Sequence, residues 1–360
     1  MLPNPLCSVL ICTYNRSALL RLTLESLCVQ SLDRDKFETI IIDDGSTDET
    51  AKVVESFGGR MQIRYEYQRN SGIASARNHG LFLARGNIAL FQDDDDIANP
   101  ELVSEHLRTH ALHPEDEVAV LGHTNLTEAL AQDPLMHYVT MVDQYLYSYP
   151  SIRHGQVLGF SHFWGGRSSC KRKLLLERGV FNPVFRFGCE DIELAFRLSR
   201  SGFRVVYNAR AISTTFRLIS FDDFCNRLFR QGRSGWIFSR MHRDPEVQSW
   251  AGVDQVAEWE SLKPRYDRLV GAARKADATV RAKRKLDLAT DADRPPLFDA
   301  YRAAFRASKI KGFAEQAREQ EEMRSPGSTT RSAVSATDRG GVNLATAGMI
   351  EPTAASSEFR

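Results

Sequence analysis

The chain has 360 residues, 42% of them hydrophobic and 26% charged, and a formal net charge of +1. That composition is globular, with enough chain for a large core, and near-neutrality excludes global attraction to nucleic acid or a membrane, so any charge argument must be local. The six cysteines (Cys7, Cys12, Cys28, Cys170, Cys189, Cys225) show no C-x-x-C spacing and no histidine partner. A disulfide framework and a zinc site are therefore not expected, and a reducing compartment is. The opening MLPNPLCSVLICTYN lacks a basic leader region, and no window approaches the roughly 18 apolar residues of a membrane span. A cytoplasmic location is expected, with an integral-membrane acceptor able to hold the protein at a surface.

In chain order, residues 7–12 (CSVLIC) form a continuous apolar run, the mark of a buried parallel strand. Residues 17–30 carry Leu19, Leu20, Thr23, Leu24 and Leu27 at helical spacing. Residues 39–42 (TIII) predict a second buried strand, 48–57 a helix, 61–67 a strand, 73–84 a helix and 87–91 (NIALF) another strand. This alternation predicts an α/β fold with a mostly parallel sheet. Residues 100–180 are less regular, with aromatic-rich stretches at 143–149 and 157–166. Residues 190–201 predict a helix closed by Gly202, and 203–207 a strand. From Asp222 the pattern is helical, including charged helices over 264–285 and 296–324 separated by a turn at 291–296. Beyond Ser325 few large apolar residues remain, and disorder is expected.

Ligands of open α/β sheets bind beyond the carboxyl ends of the strands. Three such ends carry unusual chemistry: Thr13-Tyr14-Asn15, Asp43-Asp44-Gly45-Ser46, and the four carboxylates Asp93 to Asp96. Mg²⁺ and Mn²⁺ favour oxygen ligands and are commonly held by one or two carboxylates plus substrate phosphates. Alternate side chains Asp93 and Asp95 could converge on one ion, with Asp94 and Asp96 pointing elsewhere. The bland alternative is a solvated turn in which Asp96 and Asn99 cap a helix. In the second loop Gly45 permits a sharp turn and Ser46 or Asp48 a cap. Neither accounts for two adjacent acids, one of which could accept a pyrimidine imide N–H.

Five blocks in order, SVLICTYNRS, IIIDDGSTDET, NSGIASARNHG, ALFQDDDDIANP and FGCEDIELAFRLSRSGFRVVY, resemble the family 2 glycosyltransferases, from about Ser8 to about Gly235. The resemblance implies a GT-A fold and inverting transfer from a nucleotide-diphosphate sugar, most often UDP-linked. It places Thr13, Tyr14 and Asn15 against the nucleoside and Asp44, with Asp43 as the alternative, on the base. Asn70, Gly72 and Arg77 would border the ribose and diphosphate. Asp93 and Asp95 would hold Mg²⁺ or Mn²⁺ across the diphosphate with Asp94 close by. Glu190 and Asp191 would be the family's acidic pair, with Asp191 the general base. Acids also favour a helix start electrostatically, which is the simpler explanation for that pair taken alone.

Two departures stand out. The histidine that often completes the family's metal site is missing, and Thr214 and Thr215 stand where it is sought; Arg217, Arg230 or Arg233 could share the diphosphate's charge. The loop before CKRKLL reads GGRSS, and its Arg167 could reach a phosphate or stay solvated. Trp164, Gly165 and Gly166, after Phe163, could wall an acceptor site or simply pack. His79, His123 and His162 are isolated. The basic C-terminal helices (Lys283, Arg284, Lys285, Lys309, Lys311) could touch lipid or a partner, or pair between copies.

The expected architecture is a GT-A-type catalytic domain (1–220), a helical extension (221–324) and a disordered tail (325–360). The expected acceptor is a glycan, a lipid-linked saccharide or a protein, with no nucleic-acid partner. A sugar nucleotidyltransferase or a dinucleotide-dependent dehydrogenase would need a glycine-rich loop after the first strand, which TYNRS lacks. A non-catalytic scaffold on the same fold is the remaining competitor.

Overall fold

The computed structural model describes residues 4–324, so the expected disordered tail at 325–360 lies outside the described residues. The chain divides into two units, Met1–Glu319 and Gln320–Arg360, and the features below belong to the first. Its strands are β1 (Cys7–Thr13), β2 (Phe37–Asp43), β3 (Ile63–Tyr67), β4 (Ile88–Gln92), β5 (Asp96–Ala98), β6 (Val118–Leu126), β7 (Val157–Leu158), β8 (Ser168–Lys171) and β9 (Arg204–Thr215). They form one sheet in the order β3-β2-β1-β4-β8-β6-β9-β5, with β7 against β9. The parallel pairings expected from the sequence hold for β1–β2, β1–β4 and β2–β3, and β6–β9 is parallel too. β4–β8, β5–β9, β6–β8 and β7–β9 are antiparallel, so the sheet as a whole is mixed.

The apolar runs are continuous because helices cover both faces. Successive strand residues face opposite sides. Val9, Ile11 and Ile41 enter one core with Leu20, Leu24 and Leu27 from the Ser17–Leu27 helix. Leu10, Ile40 and Ile42 enter the other with Ala74, Ala76 and Leu81 from the Ile73–Leu83 helix. Since β2, β1 and β4 are adjacent and parallel, their carboxyl ends share one edge, with Thr13 opposite Asp43.

A third core joins the Phe221–Met241, Tyr266–Lys285 and Arg294–Arg324 helices through Phe224, Val270, Tyr301 and Phe305, together with Leu135 and Tyr138. The turn expected over 291–296 is shorter in the structure. Asp291–Asp293 makes a single 3-10 turn, and the last helix starts at Arg294 with both prolines in its first turn, where a missing N–H costs little. Among the described residues no helix is long and apolar enough to cross a membrane.

Two glycines set how closely the first and last of these helices approach. A Cβ at Gly232 would overlap the Lys309 carbonyl oxygen, and one at Gly312 would overlap that of Phe229. Gly232→Ala or Gly312→Ala must therefore push the helices apart, and each is expected to lower stability by about 1–3 kcal/mol. Urea titration measures this; an unchanged midpoint would contradict the close crossing.

Candidate active site

The three loops at the carboxyl edge, the 161–167 segment, the start of the Glu190–Ser199 helix and part of the Phe221–Met241 helix enclose a crevice of about 980 Å³. It brings together Thr13, Tyr14, Asp44, Asn70, Gly72, Arg77, Asp93, Asp94, Asp95, Trp164, Gly165, Gly166, Glu190 and Asp191. Asn15 and Asp43 do not line it. Asp43 is buried and accepts from the Ser46 N–H (2.7 Å) and the Tyr65 hydroxyl (2.8 Å), so it shapes its own loop. Asn15, at φ 51°, accepts from the Thr47 N–H and donates its own N–H to Ser46 Oγ, tying the first two loops together.

Asp44 turns to the crevice side. Its carboxylate accepts from the Ser71 and Gly72 N–H groups and from Gln68 Nε2, at 2.8–2.9 Å. It therefore fixes the Asn70–Gly72 turn, which Arg186 also holds, through Asn70. Gly72, at φ 89°, has no room for a Cβ against the Arg186 backbone (2.9 Å).

The four aspartates alternate. Asp94 and Asp96 are buried at 3% and 0% exposure, while Asp93 and Asp95 are more open. Asp94 accepts from Thr13 Oγ1 (2.7 Å) and Arg16 Nη1 (2.8 Å). Asp96 accepts from Ser213 Oγ (3.1 Å), and its Oδ1 has no partner. Asp93 faces Arg167 Nη2 at 2.7 Å, and Asp95 faces Arg217 Nη1 at 3.2 Å and Arg16 Nη1 at 3.5 Å. Where the family histidine was sought, Thr215 pairs with Asp96 across β5–β9; Arg217, two residues on, reaches Asp95 instead.

Burial acts to raise Asp93, Asp94 and Asp96. At Asp93, Arg167, Arg77, Arg227 and Arg16 outweigh it and hold the carboxyl below its usual range. At Asp94 burial and the neighbouring Asp95 prevail over Arg16, and the pKa rises to about 6. At Asp96 burial prevails over Arg167, and it rises to about 7.

Among the described residues no three His, Cys, Asp or Glu side chains converge as a metal cage. Asp93 and Asp95 thus fit a hard cation only in the mode in which substrate phosphate oxygens complete the shell. In the structure arginines neutralise both carboxylates.

Glu190 and Asp191 open their helix after Cys189, whose φ of 67° is left-handed. Glu190 is buried and takes Arg77 Nη1 at 2.6 Å, yet burial and the adjacent Asp191 still raise it to about 7, and its Oε2 has no partner. Asp191 is half-buried; Oδ2 accepts the Gly165 N–H and Oδ1 the Ile192 N–H, each at 2.8 Å. The Asp93 N–H in turn donates to the Gly166 carbonyl at 3.1 Å. The Gly165-Gly166 backbone therefore ties the aspartate loop to the acidic pair.

The close approach these glycines permit is to protein: a Cβ at Gly165 would overlap the Arg77 guanidinium, and one at Gly166 the Asp93 carboxylate. Trp164 packs edge-on against Tyr149 at 5.3 Å, with its indole N–H donating to the Ser161 carbonyl. Of the crevice arginines, the sequence reading left out Arg16, Arg186 and Arg227. Arg16 directly follows the TYN loop, a usable signal; Arg227 sits in a charged helix, which carries none.

Residues 8–178 match the model of glycosyl transferase family 2. The chain is 34% identical over 221 residues to the validoxylamine A glucosyltransferase of Streptomyces hygroscopicus subsp. jinggangensis, covering 55% of this chain and 52% of that one. It is 30% identical over 245 residues to the chondroitin synthase of Escherichia coli, covering 57% and 34%. The chain thus spans about half or less of these curated relatives. Among solved structures, the mannosyltransferase PcManGT of Pyrobaculum calidifontis, in complex with GDP-Man and Mn²⁺, aligns at a TM-score of 0.57 with 19% identity over 88% of both chains. The S. aureus TarS structure with UDP aligns at 0.50 with 18% identity over 87% of this chain and 91% of that one. At such identities the likeness shows the fold, which is that of GT-A glycosyltransferases.

Two predictions follow from the geometry. Gly166→Ala must displace the Asp93 carboxylate; it is expected to lower stability by about 1–3 kcal/mol and to weaken any ligand held by Asp93. Thermal unfolding with and without nucleoside diphosphate measures both, and a variant matching wild type in the two would contradict it. Asp96 is an acid whose pKa folding raises from 3.8, so the fold favours its protonated form. Its contribution is complete below about pH 4 and is lost as pH rises through about 7. Asp96→Asn is expected to flatten the stability profile between about pH 4 and pH 7, while wild type falls; parallel profiles would contradict this.

Proposed function

We propose that this chain, whose residues 8–178 match the model of glycosyl transferase family 2, transfers a sugar from a nucleotide-diphosphate sugar to an acceptor hydroxyl with inversion at the anomeric carbon. The observation that carries the reading is the Gly165-Gly166 strap, which ties Asp191 through the Gly165 N–H and the Asp93 backbone through the Gly166 carbonyl into one crevice. A single displacement needs a site for the leaving group and a proton acceptor within reach of one reacting carbon, and the strap brings a candidate for each into the same crevice.

In this reading the nucleoside lies along Thr13, Tyr14 and the turn that Asp44 fixes. Three donors already occupy the Asp44 carboxylate, so it meets the base through its remaining lone pairs. The diphosphate lies over Asp93 and Asp95, and Mg²⁺ or Mn²⁺, when bound there, would supply positive charge to the departing diphosphate. Arg16, Arg167 and Arg217 surround the same carboxylates and offer guanidinium donors to phosphate oxygens. Asp191, oriented by the Gly165 N–H, takes the acceptor hydroxyl's proton as its oxygen bonds to the anomeric carbon and the bond to the phosphate oxygen breaks. Glu190 holds Arg77 and keeps the helix start acidic beside the base.

The donor class is UDP-linked. A UDP-bound neighbour of the same fold supports it, while another neighbour holds GDP-Man. A glycan, a lipid-linked saccharide or a protein supplies the hydroxyl.

The test separates binding from turnover. With a panel of UDP- and GDP-sugars and Mn²⁺, one donor is expected to raise the unfolding temperature of wild type and of Asp191→Asn alike. Nucleoside diphosphate release should fall in Asp191→Asn by on the order of 10²–10⁴-fold. Asp95→Ala should lose the metal-dependent part of the stabilisation, as should EDTA treatment. Unchanged turnover in Asp191→Asn would remove the general-base assignment, and no stabilisation by any donor would leave a non-catalytic scaffold.

A further inference from the structure

Seven arginines line the crevice, and five have polar partners within it. Arg16, Arg77, Arg167 and Arg217 face Asp94, Glu190, Asp93 and Asp95, and Arg186 bonds Asn70. Arg227 and Arg230, one turn apart on the Phe221–Met241 helix, differ. Among the described residues no carboxylate pairs with either, and Arg227 Nε is buried without a hydrogen-bond partner. Both guanidiniums rest on one ring: Arg230 lies 3.8 Å and Arg227 5.6 Å from the centroid of Phe187. The ring is fixed in turn, since Ser234 of the same helix donates to the Phe187 carbonyl at 2.7 Å.

Two neighbouring cations without an anion are unfavourable. Burial and the repulsion of Arg167 lower the pKa of Arg227, and burial and Arg227 lower that of Arg230. The negative groups nearest Arg227, Asp93 and Glu190, are already committed to Arg167 and Arg77. Spaced three residues apart on a helix, the two guanidiniums point the same way. Planar forks of this kind match an oxyanion.

We propose that Arg227 and Arg230 form an oxyanion subsite in the crevice that takes a phosphate or carboxylate group of a substrate. The inference rests on the crevice being the glycosyl-transfer site. Two sources can supply the group: the donor's diphosphate, or an anionic substituent of the acceptor.

The experiment uses the full chain as wild type, Arg227→Met, Arg230→Met and, as a control, Arg240→Met, which lies on the same helix but outside the crevice lining. Calorimetry compares UDP with uridine for the donor arm, and glucose 6-phosphate and glucuronate with glucose for the acceptor arm. Arg227→Met is expected to raise the unfolding temperature of the unliganded protein by about 2–4 °C, because it removes an unpaired charge. Both crevice variants are expected to weaken the anionic probe about tenfold or more and to leave its neutral counterpart unchanged; Arg240→Met does neither.

Loss confined to UDP assigns the subsite to the donor, and loss confined to the sugar anions assigns it to the acceptor. Wild-type binding retained in full by both crevice variants overturns the subsite and leaves the transfer reading standing. Wild type that binds none of the anionic probes overturns the subsite, and the nucleotide-sugar panel above then decides the transfer reading separately.

Discussion

Two adjacent glycines with no space for a side chain hold the chemistry of this protein in register. Gly165 donates its N–H to Asp191 while its α-carbon lies against Arg77, and Gly166 accepts from the Asp93 N–H while its α-carbon lies against the Asp93 carboxylate. Asp93 comes from the end of β4 and Asp191 from a helix nearly a hundred residues later. Antiparallel pairing of β8 with β4 and β6 sets the strap itself, so the sheet's change of direction is what turns a row of strand ends into a two-sided crevice.

Charge is the second organising term. The crevice concentrates carboxylates whose ionised form burial disfavours, and arginines whose charge burial penalises; each makes the other tolerable. Where the pairing is close, as at Asp93, the acid stays ionised below its usual range; where it is partial, as at Asp96, the acid rises. A bound diphosphate and cation would enter this balance as one more anion and one more cation.

How much of this could be read from the sequence depended on how local the signal was. β1, β2 and β4 are apolar on both faces and alternate with helical periods, so the strand ends and their shared edge were legible. β8 (SSCK) is polar yet central, and β5 is only three residues long, so neither announces itself. The choice between Asp43 and Asp44 needed the pleat: adjacent residues leave a strand on opposite sides, and only Asp44 turns to the crevice. The aspartate alternation was legible for the same reason. Gly165 and Gly166 were visible as glycines, but the groups pressed against them, Arg77 and Asp93, are distant in sequence. Arg227 reads as a solvated helix charge until packing encloses it.

The measurement that bears most directly on the account is a crystal structure with UDP and Mn²⁺, with anomalous scattering used to place the metal. The account predicts one manganese peak bridging the Asp93–Asp95 turn and the diphosphate. The uridine should lie along Thr13, Tyr14 and the Asn70–Gly72 turn, and Asp191 should remain on the Gly165 N–H facing the β-phosphate across an open space of sugar size. Manganese away from that turn, or an Asp191 detached from the strap and turned out of the crevice, would contradict it.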